Sequence, residues 1–256
     1  MINIFKKPSK IVVDCFCVLD YVYDYTPIDI GIKFYPEWWK ETPSTCQSGN
    51  NLTIKNCVGL IEFYKKSIII PSWFEMDLTI HAKGDPERRY YSYESSNKHT
   101  VDKQSHHASQ FEKYALDDGT NMKLESPWCI RTKESLNWTW TQPTWSLRKD
   151  LKNFVILPAV MNFKYQHSTN INFFLINEDT EKRTIIKPNT PLVALHPMTD
   201  KEVEIKRHLV SEKEFQRLMN IDNLFLRRDA KENAKIYSLK KNFIDKMECP
   251  VKHDKS

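Results

Sequence analysis

Hydrophobic and polar residues alternate over short stretches through most of this chain, the pattern of strands that turn one face to a core. Residues 9 to 23 place Ile11, Val13, Cys15, Cys17 and Leu19 on one face, and Val12, Phe16 and Val18 make the other face apolar as well. Two apolar faces predict a central strand. Pro27, Pro36 and Pro43 then punctuate a segment containing Tyr35-Pro-Glu-Trp-Trp-Lys40, too broken for a long helix and too aromatic for a solvated loop. Trp38 and Trp39 are expected to pin it to the body of the fold. From Leu52 to Lys66 apolar residues fall at 57, 60, 61 and 64, a helical period. Two strands follow, Ser67 to Ile70 and Phe74 to His81, separated by Pro71.

Residues 83 to 122 are the least regular part, with a charged turn around Lys83-Gly-Asp-Pro and a polar run from Ser92 to Gln104. Irregular insertions of this kind often carry partner contacts. The alternation returns in Lys123 to Thr132 and in Leu136-Asn-Trp-Thr-Trp-Thr141, an amphipathic strand closed by Gln142 and Pro143. Val155 to Tyr165 reads as a buried turn, Asn170 to Asn177 as a strand, and Ile186 to Leu195 as a further strand reached through a hairpin. Short strands at this spacing predict a sandwich or barrel. After Pro197 the pattern turns helical. Ser211 and Glu214 form a capping box, in which each side chain satisfies the other residue's exposed backbone donor. The apolar stripe Phe215, Leu218 and Met219 follows, then a charged stretch with Ile236, Leu239, Phe243 and Met247 on one face.

The 256 residues, 40% of them hydrophobic, are enough to bury a substantial core, and strand formers dominate while only five glycines are present. The turns therefore rest on Pro, Asn, Asp and Ser. A net charge of +5 is mild and does not point to nucleic acid. No run approaches the roughly 18 apolar residues of a membrane span. Asp14 interrupts the N-terminal apolar run, so no secretion signal is expected, and six scattered cysteines suggest reduced thiols in an intracellular setting.

Among polar clusters, Ser105-His-His-Ala-Ser-Gln-Phe111 stands out, because His106, His107 and Gln110 could supply a general base or metal ligands. Adjacent histidines on a strand face opposite ways, so one of them at most enters a given site. His81, His99 or His167 would have to complete a metal site through the fold. Cys15 and Cys17 lie on one strand face with no second pair and read as core. No phosphate-binding glycine motif occurs, which argues against a nucleotide enzyme built on glycine-rich loops.

The segments Val155-Ile-Leu-Pro-Ala-Val-Met-Asn-Phe-Lys-Tyr165, Asn170 to Asn177 and Ile186-Lys-Pro-Asn-Thr-Pro-Leu-Val-Ala-Leu195 resemble the closing half of a dUTPase-type β-barrel. In that family a Pro-Gly-x-Ile-Asp-x-x-Tyr segment precedes an apolar strand and a Lys-Gly-Asp-x-Ile-Ala-Gln-Leu segment. The resemblance places Asn162 where the family's aspartate activates water, and an amide has no basic site near neutral pH. Tyr165 matches the tyrosine that stacks below the deoxyribose. Ala159 and Asn189 replace two glycines, and Gln142-Pro-Thr-Trp145 takes the place of an Arg-Ser-Gly phosphate motif. The resemblance thus implies the scaffold without its chemistry.

Over more of its length the chain resembles a family of uncharacterised proteins of tailed phages and some bacteria. The matching pieces are Pro36-Glu-Trp-Trp-Lys40, Thr53 to Cys57, Ile68 to Trp73, the His106/Gln110 pair, Ser126-Pro-Trp-Cys-Ile-Arg-Thr132, Leu157-Pro-Ala-Val160, Ile171 to Phe174 and Thr190 to Val193. This resemblance implies a phage-type setting, the bacterial host cytoplasm or the virion, and imports no activity.

Together these readings predict a mainly β fold, a dUTPase-like β-clip or jelly-roll barrel with a C-terminal helical arm. The β-rich domain spans 1–200 with its irregular insertion at about 83–122, and the arm spans 205–256. The expected function is binding or structural, as an oligomeric virion component or an accessory protein with a protein partner, without a catalytic residue, metal or cofactor. Candidate binding residues are Trp38, Trp39 and Trp128, the cluster His106, His107 and Gln110, and the pair Asn162 and Tyr165. The alternative is a metal- or nucleotide-dependent enzyme built on the histidine cluster. A nucleic-acid role for the basic stretch 227–241 is a third reading, and it would show steep salt dependence.

Overall fold

The structure is a computed structural model that describes residues 9–47, 49, 51–80, 91–95, 103–105, 119–176 and 180–223. The chain opens with β1 (Lys10–Cys17), α1 (Asp20–Tyr25), β2 (Asp29–Ile30), α2 (Glu37–Glu41) and α3 (Val58–Lys66). Strands β3 (Ile68–Pro71), β4 (Met76–Ile80), β5 (Tyr91–Ser95), β6 (Lys103–Ser105), β7 (Gly119–Leu124), β8 (Cys129–Thr132) and β9 (Trp138–Thr141) follow. The second half adds β10 (Phe154–Ile156), β11 (Ala159–Met161), β12 (Ile171–Ile176), β13 (Lys182–Ile186), β14 (Pro191–Pro197), β15 (Glu202–Leu209) and α4 (Glu212–Asn223).

Strand β1 is central, as its two apolar faces predict, lying between β8 and β15. Its partner β15 runs parallel in full register from Lys10↔Glu202 to Cys17↔Leu209, while β8 is antiparallel. A second sheet has the order β10-β12-β7-β6, a third β11-β9-β14-β3-β2, and a fourth β13-β4-β5. Side chains from all four sheets meet in one buried cluster that includes Ile11, Val13, Ile70, Met76, Trp128, Trp138, Phe173, Ile186 and Leu195. Each fully buried aliphatic or aromatic side chain contributes about 1.5–3 kcal/mol to such a core.

The expected dUTPase-like β-clip or jelly-roll barrel is not what forms. A barrel requires its last strand to pair with its first in one continuous ladder. Among the described residues the ladders instead end in eight edge strands, so no sheet closes. The segment that carried the dUTPase resemblance shows why. Pro158 has no N–H to donate, and it divides an extended run into β10, which pairs with β12, and β11, which crosses to pair with β9. Nor do the strands beyond it form the expected hairpin: β12, β13 and β14 lie in three different sheets, and β13 finds its partner in β4, from Lys182↔Ile80 to Ile186↔Met76.

Helix α4 begins at the predicted capping box. The Ser211 N–H bonds Glu214 Oε2 at 3.0 Å, and the Glu214 N–H returns to Ser211 Oγ at 3.4 Å. The helix packs Leu218, with Phe215 and Met219, onto Phe16 and Cys129. Its apolar stripe is thus a docking face onto the chain's own first sheet. The rest of the expected arm, with the basic stretch 227–241, lies outside the described residues, as does most of the expected insertion at 83–122 apart from 91–95, 103–105 and 119–122.

Candidate functional site

Strand β2 leads into a tight turn at Gly31–Phe34, which sets the start of α2. Gly31 makes that turn fit. Its N–H bonds the Ser67 carbonyl at 2.8 Å, and a Cβ there would run into the Tyr64 carbonyl and Ser67 Oγ. Pro36 then caps α2 with φ −66°, a value its ring fixes in advance. On this short helix the two tryptophans diverge. Trp39 turns inward, its ring stacked on Tyr35 with centroids 4.0 Å apart and the Lys55 ammonium 5.2 Å from its centre. Trp38 turns outward, and its Nε1–H donates to the Trp145 carbonyl at 3.1 Å.

Trp38 thereby forms one wall of a cleft of about 620 Å³. Pro27, Phe34, Pro36, Ser146, Arg148 and Asn189 also line it. The far end is tied down by Asn189, whose Nδ2 donates to the Tyr25 carbonyl at 2.8 Å. Asn189 takes φ 64°, a left-handed conformation that asparagine tolerates well. Three large side chains on segments that reach the cleft are exposed: Tyr25 at 75%, Leu147 at 66% and Trp145 at 36%.

The cations of the cleft are matched by neighbouring acids. Lys33 Nζ lies 2.6 Å from Asp29, which also takes Arg207 at 3.7 Å, and Lys40 lies 2.5 Å from Glu37. Arg148 Nε donates to Asp150 at 2.9 Å. Exposed pairs of this kind add little stability, but they leave the cleft balanced in charge and its apolar walls as the chief feature. Burial and the charge of Glu62 raise the phenol of Tyr35, itself a lining residue, above its usual pKa, and burial with Tyr35 nearby pushes Tyr64 up to about 12. Both phenols stay neutral at physiological pH.

The other predicted residues do not join Trp38. Trp128 is buried in the core, 6.5 Å from the Tyr23 ring, and its carbonyl accepts from Thr169 Oγ1 at 2.6 Å. Asn162 builds a turn: its carbonyl accepts the N–H groups of Tyr165 and Gln166, and its Oδ1 accepts the Lys164 N–H at 3.2 Å. Its Nδ2 reaches Ser135 Oγ at 3.1 Å and Asn137 Oδ1 at 3.3 Å, tying that turn to the loop before β9. Tyr165 is buried, with the Lys164 ammonium 5.4 Å from its ring. His106, His107 and Gln110 lie outside the described residues.

Sequence reasoning missed Leu147, Arg148, Tyr25 and Asn189. The Pro188-Asn189 pair carries a turn signal that could have found Asn189; Leu147 has no local signature, since leucine is not a residue of left-handed turns. Among the described residues no group of three His, Cys, Asp or Glu side chains is placed to hold a metal ion. No helix among them is long and apolar enough to cross a membrane.

No protein-family model and no curated protein matches this chain. The resemblance to a tailed-phage family therefore assigns it to no family, and the resemblance to dUTPases fails on the open sheets.

Proposed function

We propose that this protein works by binding rather than by catalysis, with the Trp38 cleft as its contact surface for a protein partner or for further copies of itself. The observation that carries the reading is the cleft lined by the half-buried Trp38, with Pro27, Phe34, Pro36 and Pro191 beside it, and with exposed apolar side chains at Trp145 and Leu147 on the segment that also supplies Ser146 and Arg148 to its lining. Interfaces draw most of their energy from a few aromatic anchors seated in a pocket and ringed by near-neutral contacts. The internally paired charges at Lys33, Lys40 and Arg148 suit such a ring, because they would not have to be stripped of a partner on association.

A second support is the work Asn162 does. Its amide is committed on both sides to a structural turn, so the residue is accounted for without a reaction. The setting we assign, a virion component or an accessory protein made in the bacterial host cytoplasm, rests on the sequence resemblance to tailed-phage proteins alone.

The test is native mass spectrometry of the protein expressed in a bacterial host, beside Trp38→Ala. The expected result is an oligomer or a protein complex in the wild type that the variant loses, with the near-ultraviolet circular dichroism of the core unchanged. A monomer that retains a nucleotide or metal, or an assembly indifferent to Trp38, would overturn the reading.

A further inference from the structure

The segment that lends Ser146 and Arg148 to the lining of the Trp38 cleft is fixed at both roots and almost nowhere between them. At its start Pro143 is buried, and Gln142 is clamped to β10: its Nε2 donates to the Phe154 carbonyl at 2.9 Å, and its Oε1 accepts the Ile156 N–H at 3.2 Å. At its end Leu151 is buried in the core. From Thr144 to Lys149 every residue except Ser146 is exposed. The bonds from the Ser146 N–H to Pro143 and from the Leu147 N–H to Thr144, and the Arg148–Asp150 pair, all stay within the segment. Among the described residues one hydrogen bond ties it to α2, from Trp38 Nε1–H to the Trp145 carbonyl at 3.1 Å.

We infer that residues 144–150 are a lid on the Trp38 cleft with two states, latched shut by the Trp38 indole and biased open by the left-handed backbone at Leu147. Leu147 has φ 51° and ψ 32°, a conformation in which the Cβ of a leucine crowds the following carbonyl. Return of its φ to the ordinary negative range turns Ser146 and Arg148 relative to each other, and the wall that both supply comes apart. The closed cleft therefore requires the strained backbone, and relief of the strain opens it.

The two opposing effects are of like size. A hydrogen bond to a backbone carbonyl shifts an equilibrium by about tenfold, and the strain of a left-handed leucine shifts it by about tenfold the other way. Burial does not break the tie, because the Leu147 and Trp145 side chains are exposed at 66% and 36%. Neither state excludes the other, which is what a gate requires. Opening frees the indole N–H for an acceptor on an incoming partner, and a partner that supplies one holds the lid open. That gating rests on the cleft being the contact surface, as proposed above; the two states of the lid do not.

The test is fluorine NMR of the whole chain with fluorotryptophan in place of tryptophan, on protein diluted to its monomeric state. Trp38→Phe and Trp145→Phe assign the two signals. Paired signals, or relaxation dispersion where exchange is faster, give the populations of the two states. Exchange is expected at Trp38 and Trp145, with the buried Trp73, Trp128 and Trp138 each in a single state. Read at Trp145, Trp38→Phe keeps an aromatic ring, loses the N–H and should raise the ratio of open to closed lid about tenfold. Leu147→Asn, with a residue suited to left-handed backbone, should lower that ratio about threefold. A single unexchanging state at Trp145 in the wild type, exchange shared by the core tryptophans, or populations indifferent to both substitutions overturns the inference. No partner is present in this measurement, so those outcomes leave the binding reading to its own test, the loss of assembly in Trp38→Ala.

Discussion

His208 Nε2–H donates to Asp14 Oδ1 at 2.8 Å, joining two strands whose residues lie far apart in sequence but run parallel side by side. Asp14 is only 2% exposed, and the His208 ring stacks on Phe16 with centroids 4.9 Å apart. The pair therefore ties β1 to β15 inside the layer against which α4 docks through Phe16. Removing the carboxylate would take this acceptor from the largely buried His208 ring. Asp14→Ala is expected to lower the unfolding free energy by about 1–3 kcal/mol, the cost of leaving a largely buried donor without its acceptor. Urea denaturation followed by tryptophan fluorescence measures it, and a loss below about 1 kcal/mol would class the pair with exposed ones.

His196 gives the protein a predictable response to acid. Its ring packs 4.4 Å from Phe63, and its Nε2–H donates to the Phe63 carbonyl at 3.0 Å. Burial holds its pKa below the usual histidine value, and the bond to Phe63 opposes that only in part. In the unfolded chain the same ring takes up a proton near pH 6.5. Between that value and the lower folded one, the unfolded state binds more protons, so stability rises with pH in this window and falls as acid is added. Above it the contribution is complete. Unfolding free energies measured down from neutral pH should therefore decline below about pH 6.5, and His196→Gln should flatten part of the decline. An unchanged slope in the variant would assign the acid response elsewhere.

Gly31 holds the cleft wall in place, and no side chain fits there. An added Cβ would meet the Tyr64 carbonyl, a backbone atom that cannot swing aside. Gly31→Ala is expected to cost about 1–3 kcal/mol, the range for overpacking a tight site. The shift should also displace the turn that carries Asp29, Lys33 and Trp38. Calorimetry gives the first effect, and the tryptophan emission of the folded variant reports the second. A variant with wild-type melting and emission would mean that the turn adapts freely.

The parts of this fold that were legible in the sequence are those that depend on neighbours along the chain. Strand β1, the helix ending at Lys66, the Trp138/Trp140 strand and the Ser211–Glu214 cap each carry a local pattern with a local cause. What was not legible is which strand pairs with which. The edge of β1 could have been met by any strand of matching burial; packing chose β15, nearly two hundred residues away, and set it parallel. The pattern that made residues 170–177 and 186–195 look like successive strands of one barrel is equally satisfied by β12 and β14 in two separate sheets around a shared core. At the candidate site the same limit applies. Trp38 stood out in a proline-punctuated aromatic segment expected to pin itself to the body of the fold, but its partner there, the Trp145 carbonyl, is a contact without any sequence signature.

Leu147 offers a test in which stability and binding should part. It sits at φ 51° and ψ 32°, left-handed, just beyond the short turn Thr144–Ser146, with its N–H on the Thr144 carbonyl at 3.0 Å. For a leucine that conformation is strained by roughly 1–2 kcal/mol, because its Cβ crowds the following carbonyl. The side chain is 66% exposed, so little packing offsets the strain within the chain itself. Strain that persists on the surface is often held for function. Asn189, across the cleft, occupies the same region of backbone space with a residue suited to it. Leu147→Asn is therefore expected to raise the unfolding free energy by about 0.5–1 kcal/mol, read as a higher urea midpoint at unchanged slope. The same variant removes an exposed apolar group between the lining residues Ser146 and Arg148 and should weaken the association seen by native mass spectrometry. Stabilisation together with undiminished association would place Leu147 outside the contact surface and confine that surface to the Trp38 side of the cleft.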